Sequence, residues 1–245
     1  MKPSRLILLK RYTSTWQLLI IPVLLLSMTG CKKFIGLSKQ EDAGFEPHVL
    51  DAHINQNAWQ YLKYRSGLDT TNPIYLKDTI FKSMYNAIIY SGIDTNEYKK
   101  TDRTFIFLHN AAVLTLTTTT PKVPTTTCYW GYYQVSAPLR PAVSWQDYSP
   151  DQVKNWLQYL IVKGQYSFDN LTPVETTVNT LLPPGTDTLN PQSIMVLERL
   201  NDSNAKIRIN GFVGSFSYTD VRTGGILSTN GPIHVVDTYV IYKTQ

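Results

Sequence analysis

Asn230-Gly231-Pro232-Ile233-His234-Val235-Val236-Asp237-Thr238-Tyr239-Val240 is the stretch from which the architecture is read. Asn230-Gly231 supplies a turn that tolerates positive φ. From Ile233 to Tyr242 the β-branched and aromatic content predicts a strand. Side chains alternate along a strand. Val235, Asp237 and Tyr239 therefore share one face, and His234, Val236 and Thr238 the other. A carboxylate at Asp237 needs a donor if it is buried, and the ring nitrogens of His234 need backbone or hydroxyl partners.

Working back from this run, Thr176 to Leu182, Ser193 to Leu200 and Lys206 to Asn210 are also strand-like. Pro183-Pro184-Gly185, Asn201-Asp202-Ser203 and Gly224-Gly225 punctuate them as turns. The helical signals come earlier. Ser149 and Pro150 open a helix with a cap and a first-turn proline, and Gln152 stands where a capping box needs it. Val153, Trp156, Leu157, Leu160 and Ile161 form one apolar stripe, which predicts a helix running to a stop at Gly164. Two further helices are expected. One carries Val49, Leu50, Ile54, Ala58, Tyr61 and Leu62 and stops at Ser66-Gly67. The other runs from about Lys77 to Tyr90 and stops at Ser91-Gly92. Thr104 to Leu108 is a β-type run. Helices early and strands late predict an α+β fold.

Between Thr104–Leu108 and Ser149 the chain changes character. Thr117 to Thr120, Pro121, Pro124, Thr125 to Thr127, Pro138 and Pro141 break any long helix, and Tyr129, Trp130, Tyr132, Tyr133 and Trp145 make the segment aromatic. Residues 115–147 are expected to be an insertion, partly extended. Its aromatics are expected to pack onto the domain, large aromatics being on average well buried, and contact with a partner or a sugar ring is the alternative.

The C-terminal run resembles the closing motif of fasciclin (FAS1) domains, roughly Asn-Gly-x-Ile-His-x-Ile-Asp followed by apolar residues, with Asn230, Gly231, His234 and Asp237 at the matching positions. Leu157 to Gly164 resembles the central family motif through Tyr159 and Gly164, with Leu160 where that motif has histidine. Thr104 to Ala112 is similar to the first motif through Thr104, Asn110 and Ala112, with Leu108 in place of its proline and His109 in place of its threonine. The resemblance implies an α+β wedge of two small β-sheets flanked by helices. It also implies a non-catalytic role in adhesion, and it leaves the long segment after Ala112 uncovered.

The N-terminus carries a different signal. Lys2, Arg5, Lys10 and Arg11 precede an apolar run from Trp16 to Leu26, followed by Leu26-Ser27-Met28-Thr29-Gly30-Cys31. A basic front, a short apolar core and small residues before the cut make a secretory signal. Ending at cysteine, it resembles the lipobox of bacterial lipoproteins. That implies cleavage after Gly30 and acylation of Cys31, with residues 1–30 removed, 31–47 as a polar tether and 48–245 as the fasciclin-like domain. A transmembrane anchor is the competing reading. Gln17 and Pro22 interrupt the stretch, and its apolar part is short of the ~20 residues a span needs. Lys32, rather than aspartate, after the cysteine points by family analogy to the outer membrane, with the membrane engaged through lipid.

Removing the four signal cations lowers the formal charge from +5 to about +1, so the high pI argues for no nucleic acid partner. With Cys31 acylated, Cys128 has no partner for an intrachain disulfide and reads as a small buried residue. No nucleophile elbow, zincin motif, phosphate loop or dinucleotide fingerprint is present. No cofactor or metal is expected, and His109 and His234 are expected to satisfy neighbours inside the fold. The expected role is a lipid-anchored interaction or adhesion module with an unknown protein or polysaccharide partner. The alternative is an accessory glycan- or ligand-binding lipoprotein beside an outer-membrane uptake system. A hydrolase with two distant carboxylates ranks last.

Overall fold

Two apolar runs far apart in sequence form the centre of the molecule: β1 (Arg103–Leu108) and β8 (Gly231–Val236). They pair in parallel, with Phe105 opposite Ile233, Ile106 opposite His234 and Phe107 opposite Val235. Every residue from Thr104 to Leu108 and from Gly231 to Val236 is buried. A strand covered on both faces shows no polar alternation, so the alternating pattern expected here gives way to continuous burial. The computed structural model describes residues 51–68, 77–136, 138–201, 206–212 and 217–241. The signal segment, Cys31, the tether and the first residues of the domain lie outside the described residues.

Around this pair a four-stranded sheet forms in the order β2-β1-β8-β7, with β2 at Ile161–Lys163 and β7 at Thr223–Ser228. A second, antiparallel sheet has the order β3-β4-β5-β6, from β3 (Thr176–Asn179), β4 (Ile194–Arg199), β5 (Ile207–Ile209) and β6 (Thr219–Asp220). The sheets meet where Val162 bridges to Thr180 and Leu181 N–H donates to Ile161 O at 2.7 Å. Helices α1 (Ala58–Tyr64), α2 (Lys82–Ser91) and α5 (Pro150–Tyr159) accompany the sheets, and α2 packs on both α5 and β1. Short helices α3 (Asn110–Val113) and α4 (Tyr129–Tyr132) lie between β1 and α5. The class is α+β, as expected: two small sheets with helices. No helix among the described residues is long and apolar enough to cross a membrane.

Several boundaries differ from the sequence expectation, each for a local reason. The first helix starts at Ala58 because Asn57 and Gln60 form a capping box there. The preceding residues instead run beside β7, with Ile54 N–H donating to Leu227 O. The second helix starts at Lys82 rather than Lys77 and ends at Gly92 in the left-handed region. The third stops at Tyr159, not at Gly164. Leu160 caps it, and Ile161, expected on the helical stripe, begins β2. A stripe of apolar residues reads the same whether its last member points from a helix or from a buried strand. Ser149 does cap this helix, with Gln152 N–H donating to Ser149 Oγ at 3.2 Å.

The expected turn at Gly224-Gly225 is instead the irregular stretch of β7, where the register with β8 shifts between Thr223 and Ile226. A Cβ on Gly225 would stand 2.6 Å from the Phe168 ring, and its φ of +72° disfavours other residues. This is a glycine bulge inside a strand. At the other end, β8 stops at Val236, short of the expected Tyr242. Asp237 therefore lies in a bend and shares no strand face with Val235. It is partly exposed and faces Arg222 Nη1 at 3.4 Å.

Candidate functional site

The motif residues are, one after another, clamps on the backbone. Asn230 is buried and joins three segments. Its Oδ1 accepts from Ala58 N–H (2.8 Å) at the start of α1, and its Nδ2 donates to Tyr98 O (3.1 Å) and Lys100 O (2.9 Å). Gly231 has φ +152°, and a Cβ there would stand 1.9 Å from Arg103 O, so glycine lets β8 pass close to β1. His234 is buried between β7 and the segment after β2. Nδ1 accepts from Gly225 N–H (3.1 Å), which assigns the ring proton to Nε2, and Nε2 donates to Tyr166 O (2.8 Å). Both nitrogens are occupied, and burial lowers the imidazole pKa to about 4.

The first motif behaves likewise. Thr104 Oγ1 donates to Gly164 O and accepts from Tyr166 N–H, both at 2.8 Å. Asn110 caps α2 from a distance. Phe81, at the start of that helix, offers no capping side chain, and Ser83 N–H donates to Asn110 Oδ1 (2.9 Å) while Asn110 Nδ2 donates to Thr79 O (2.6 Å). His109 Nδ1 accepts from Ala111 N–H (3.1 Å) and so caps α3. Burial is the first cause lowering its pKa, with the Arg222 charge second. Ala112 is fully buried. In the central motif, the buried Tyr159 hydroxyl accepts from Asn210 Nδ2 (2.9 Å). Gly164 takes φ +100° against the Tyr166 ring. Asn210, read from the sequence only as the end of a strand-like run, also receives Val196 N–H at its Oδ1 (3.0 Å). Its position after a short strand carried no signal beyond an ordinary turn asparagine.

The aromatic insertion forms more local structure than expected. Besides α4 it contains bridges Leu116–Pro124 and Val135–Arg140 and a 3₁₀ turn at Trp145–Asp147. Asp147 holds the last loop. It accepts from Arg140 Nη2, Val143 N–H and Ser144 N–H, and the arginine bond is the main cause bringing its pKa down to about 2. Tyr129 and Trp145 point inward and are buried. The Tyr129 ring centroid lies 4.0 Å from that of Trp156 on α5, and Trp145 Nε1–H donates to Ser83 O (3.1 Å). Tyr133 is half-buried, 4.7 Å from Tyr129. Tyr132 stays 46% exposed against Tyr239. Trp130 is half-buried, edge-on to Trp145, and its solvent-excluded Nε1–H has no acceptor among the described residues. Trp156, Tyr148 and Tyr239 complete the cluster. Trp156 was readable as a core position of α5, but its partnership with the insertion was not.

Two depressions border this cluster. A cleft of about 310 Å³ lies beside the start of α5, with Asp151, Gln152, Asn155 and Asp187 on its walls and Tyr129 and Trp156 behind them. A groove of about 430 Å³ runs between α2 and the insertion. Among the described residues, no group of three or more His, Cys, Asp and Glu side chains comes together to hold a metal ion. Cys128 is buried, with Sγ 3.1 Å from Thr125 O.

No family model matches the chain, and no curated protein matches it. Among solved structures the chain is similar to a FAS1 domain pair from the insect cell adhesion molecule fasciclin I, at 13% identity and a TM-score of 0.41. The likeness covers 66% of this chain and 45% of that one, so this chain spans less than half the length of the domain pair.

Proposed function

We propose that this chain is a non-catalytic interaction module of the fasciclin type, held at the cell envelope by lipid on Cys31. The observation that carries the reading is the use to which the motif residues are put. Thr104, Asn110, Tyr159, Asn230 and His234 bond to the backbone or, for Tyr159, to the Asn210 amide that does, and none of the five lines the cleft or the groove. The motif order supports the fasciclin type, since its first and last elements are the two inner strands of one sheet. The basic, apolar and small-residue succession before Cys31 supports lipid attachment. Several acyl chains anchor firmly where one anchors marginally, at about 0.8 kcal/mol per buried methylene, and attachment to the outer membrane follows from Lys32 by analogy.

Metabolic labelling with an alkynyl fatty acid tests the anchor. The wild-type chain takes label and partitions with membranes, whereas Cys31→Ser remains unlabelled and unprocessed. A wild-type chain that takes no label, or a Cys31→Ser chain that takes as much as the wild type, overturns the anchor. Aggregation of cells displaying the full chain, compared with cells displaying none, tests the interaction role. No difference between the two overturns it.

A further inference from the structure

We propose that the groove between α2 and the insertion binds a neutral saccharide, with Trp130 and Tyr85 against the ring and the amides of Asn86 and Gln146 on its hydroxyls. This deepens the interaction-module reading by naming the partner class, and rests on it for the setting at the envelope.

The argument proceeds from what the groove lacks and what it leaves open. No lysine, arginine, aspartate or glutamate lines it, so a charged ligand meets no counter-charge. Its side walls are the Tyr85 and Trp130 rings, with Ile89 standing 56% exposed beside them. Tyr85 is braced from behind by Trp59, stacked at 5.7 Å. Trp145 and Tyr90, which also line the groove, have their polar atoms engaged by Ser83 O and Tyr148 O. They are fixed structure rather than ligand contacts. The side-chain amides of Asn86 and Gln146 are exposed and make no hydrogen bond among the described residues. The indole N–H of Trp130 is shielded from solvent and has no acceptor among the described residues.

A wholly apolar partner would strip water from two amides and give them nothing, at a cost of about 1–3 kcal/mol for each stranded group. A ligand with an apolar face and a hydroxylated edge satisfies both parts of the lining, and a sugar ring has that shape of polarity. The neighbouring cleft suits it less. Of its three rings, Tyr129 and Trp156 are 1% exposed and Tyr133 is half-buried, and its walls carry two carboxylates, which a neutral ligand leaves without a cation.

Affinity electrophoresis of the full chain in detergent tests this, in native gels cast with amylopectin, mixed-linkage β-glucan, galactomannan or xylan, and with polygalacturonate as the acidic control. Retardation is expected in at least one neutral gel. Trp130→Ala should weaken it about tenfold, the scale of one ring contact. Because Trp130 is half-buried, Asn86→Ala/Gln146→Ala serves as the second variant, and these exposed, unbonded amides can be removed without disturbing packing. It should also weaken binding several-fold, while Asp151→Asn in the neighbouring cleft leaves it unchanged. No retardation in any neutral gel, retardation by polygalacturonate alone, or full affinity in the double variant overturns the assignment. Failure here with labelling and aggregation intact removes the saccharide and leaves the module. Loss of labelling with gel retardation intact removes the anchor and leaves the groove.

Discussion

Removing the Asn230 side chain tests the clamp reading most directly. In Asn230→Ala, Ala58 N–H loses its acceptor, and Tyr98 O and Lys100 O lose their donor. A stranded buried group costs about 1–3 kcal/mol. The Ala58 amide and the Tyr98 carbonyl are enclosed, whereas Lys100 is exposed and its carbonyl reaches water more easily. The sum is about 3–5 kcal/mol, against a typical total stability of about 5–15. Asn230→Asp separates geometry from hydrogen bonding. It keeps the shape and the oxygen that receives Ala58 N–H, but turns a second oxygen toward two carbonyls. At neutral pH it should therefore be less stable than Asn230→Ala. That environment raises the folded-state pKa above the unfolded value near 3.9, so the penalty is absent below about pH 4 and grows as pH rises. Urea unfolding followed by far-UV circular dichroism, with m-values compared, measures all three chains. A loss below about 1 kcal/mol for Asn230→Ala, or an Asp variant more stable than the Ala variant at pH 7, would refute the clamp.

Other substitutions probe separate parts of the fold. Tyr98 is fully buried and its hydroxyl has no partner among the described residues, so Tyr98→Phe should be neutral or stabilising by about 1 kcal/mol in the same titration. A clear destabilisation would mean that the hydroxyl has an acceptor after all. Gly231→Ala places a methyl on the Arg103 carbonyl and should abolish the cooperative transition; a native-like thermal melt would contradict the close approach of β8 to β1. His234 is neutral and buried, with a folded pKa near 4 against 6.5 for the free side chain. The unfolded chain then binds the proton first, so this group's stability is complete above about pH 6.5 and is lost as pH falls toward 4. An NMR titration of the imidazole that gave a midpoint near 6.5 would be incompatible with that.

The parts of this fold legible in the sequence are those with a local cause. Ser149 and Pro150 mark the start of α5 through their own chemistry, Gly92 ends α2 as Ser91-Gly92 announces, and Phe105 to Leu108 is too apolar and branched to be a loop. What was not legible depends on partners distant in the chain. Ile161 changes from helix to strand because β1 offers it an edge, with Phe105 opposite. Gly224-Gly225 has turn composition, but β8 on one side and the Phe168 ring over it make it a bulge. Asn110 as a cap for α2 lies 27 residues from the amide that it receives, and no window along the sequence joins the two. The inward turn of Tyr129 and Trp145 has the same origin. Their composition allowed either a packed or a displayed cluster, and α5, through Trp156, and α2, through the Ser83 carbonyl, provide the surface that takes them in.

The same distinction says where recognition belongs. A motif residue whose polar atoms are all engaged cannot also grip a partner without breaking the bond that holds a strand or a helix end. Asn230, His234, Thr104 and Asn110 are all in that condition, so the resemblance they carry is a resemblance of folding instructions. Binding has to be carried by side chains with free valences on fixed supports. Among those singled out here, Trp130 with Asn86 and Gln146 meets both conditions, in a groove whose braces are Trp59, Trp145 and Tyr90. Substitution at the motif should therefore move stability and binding together. Substitution of the exposed Asn86 and Gln146 amides should move binding alone, and a double variant that lost stability in step with affinity would show that these amides hold the fold rather than a ligand.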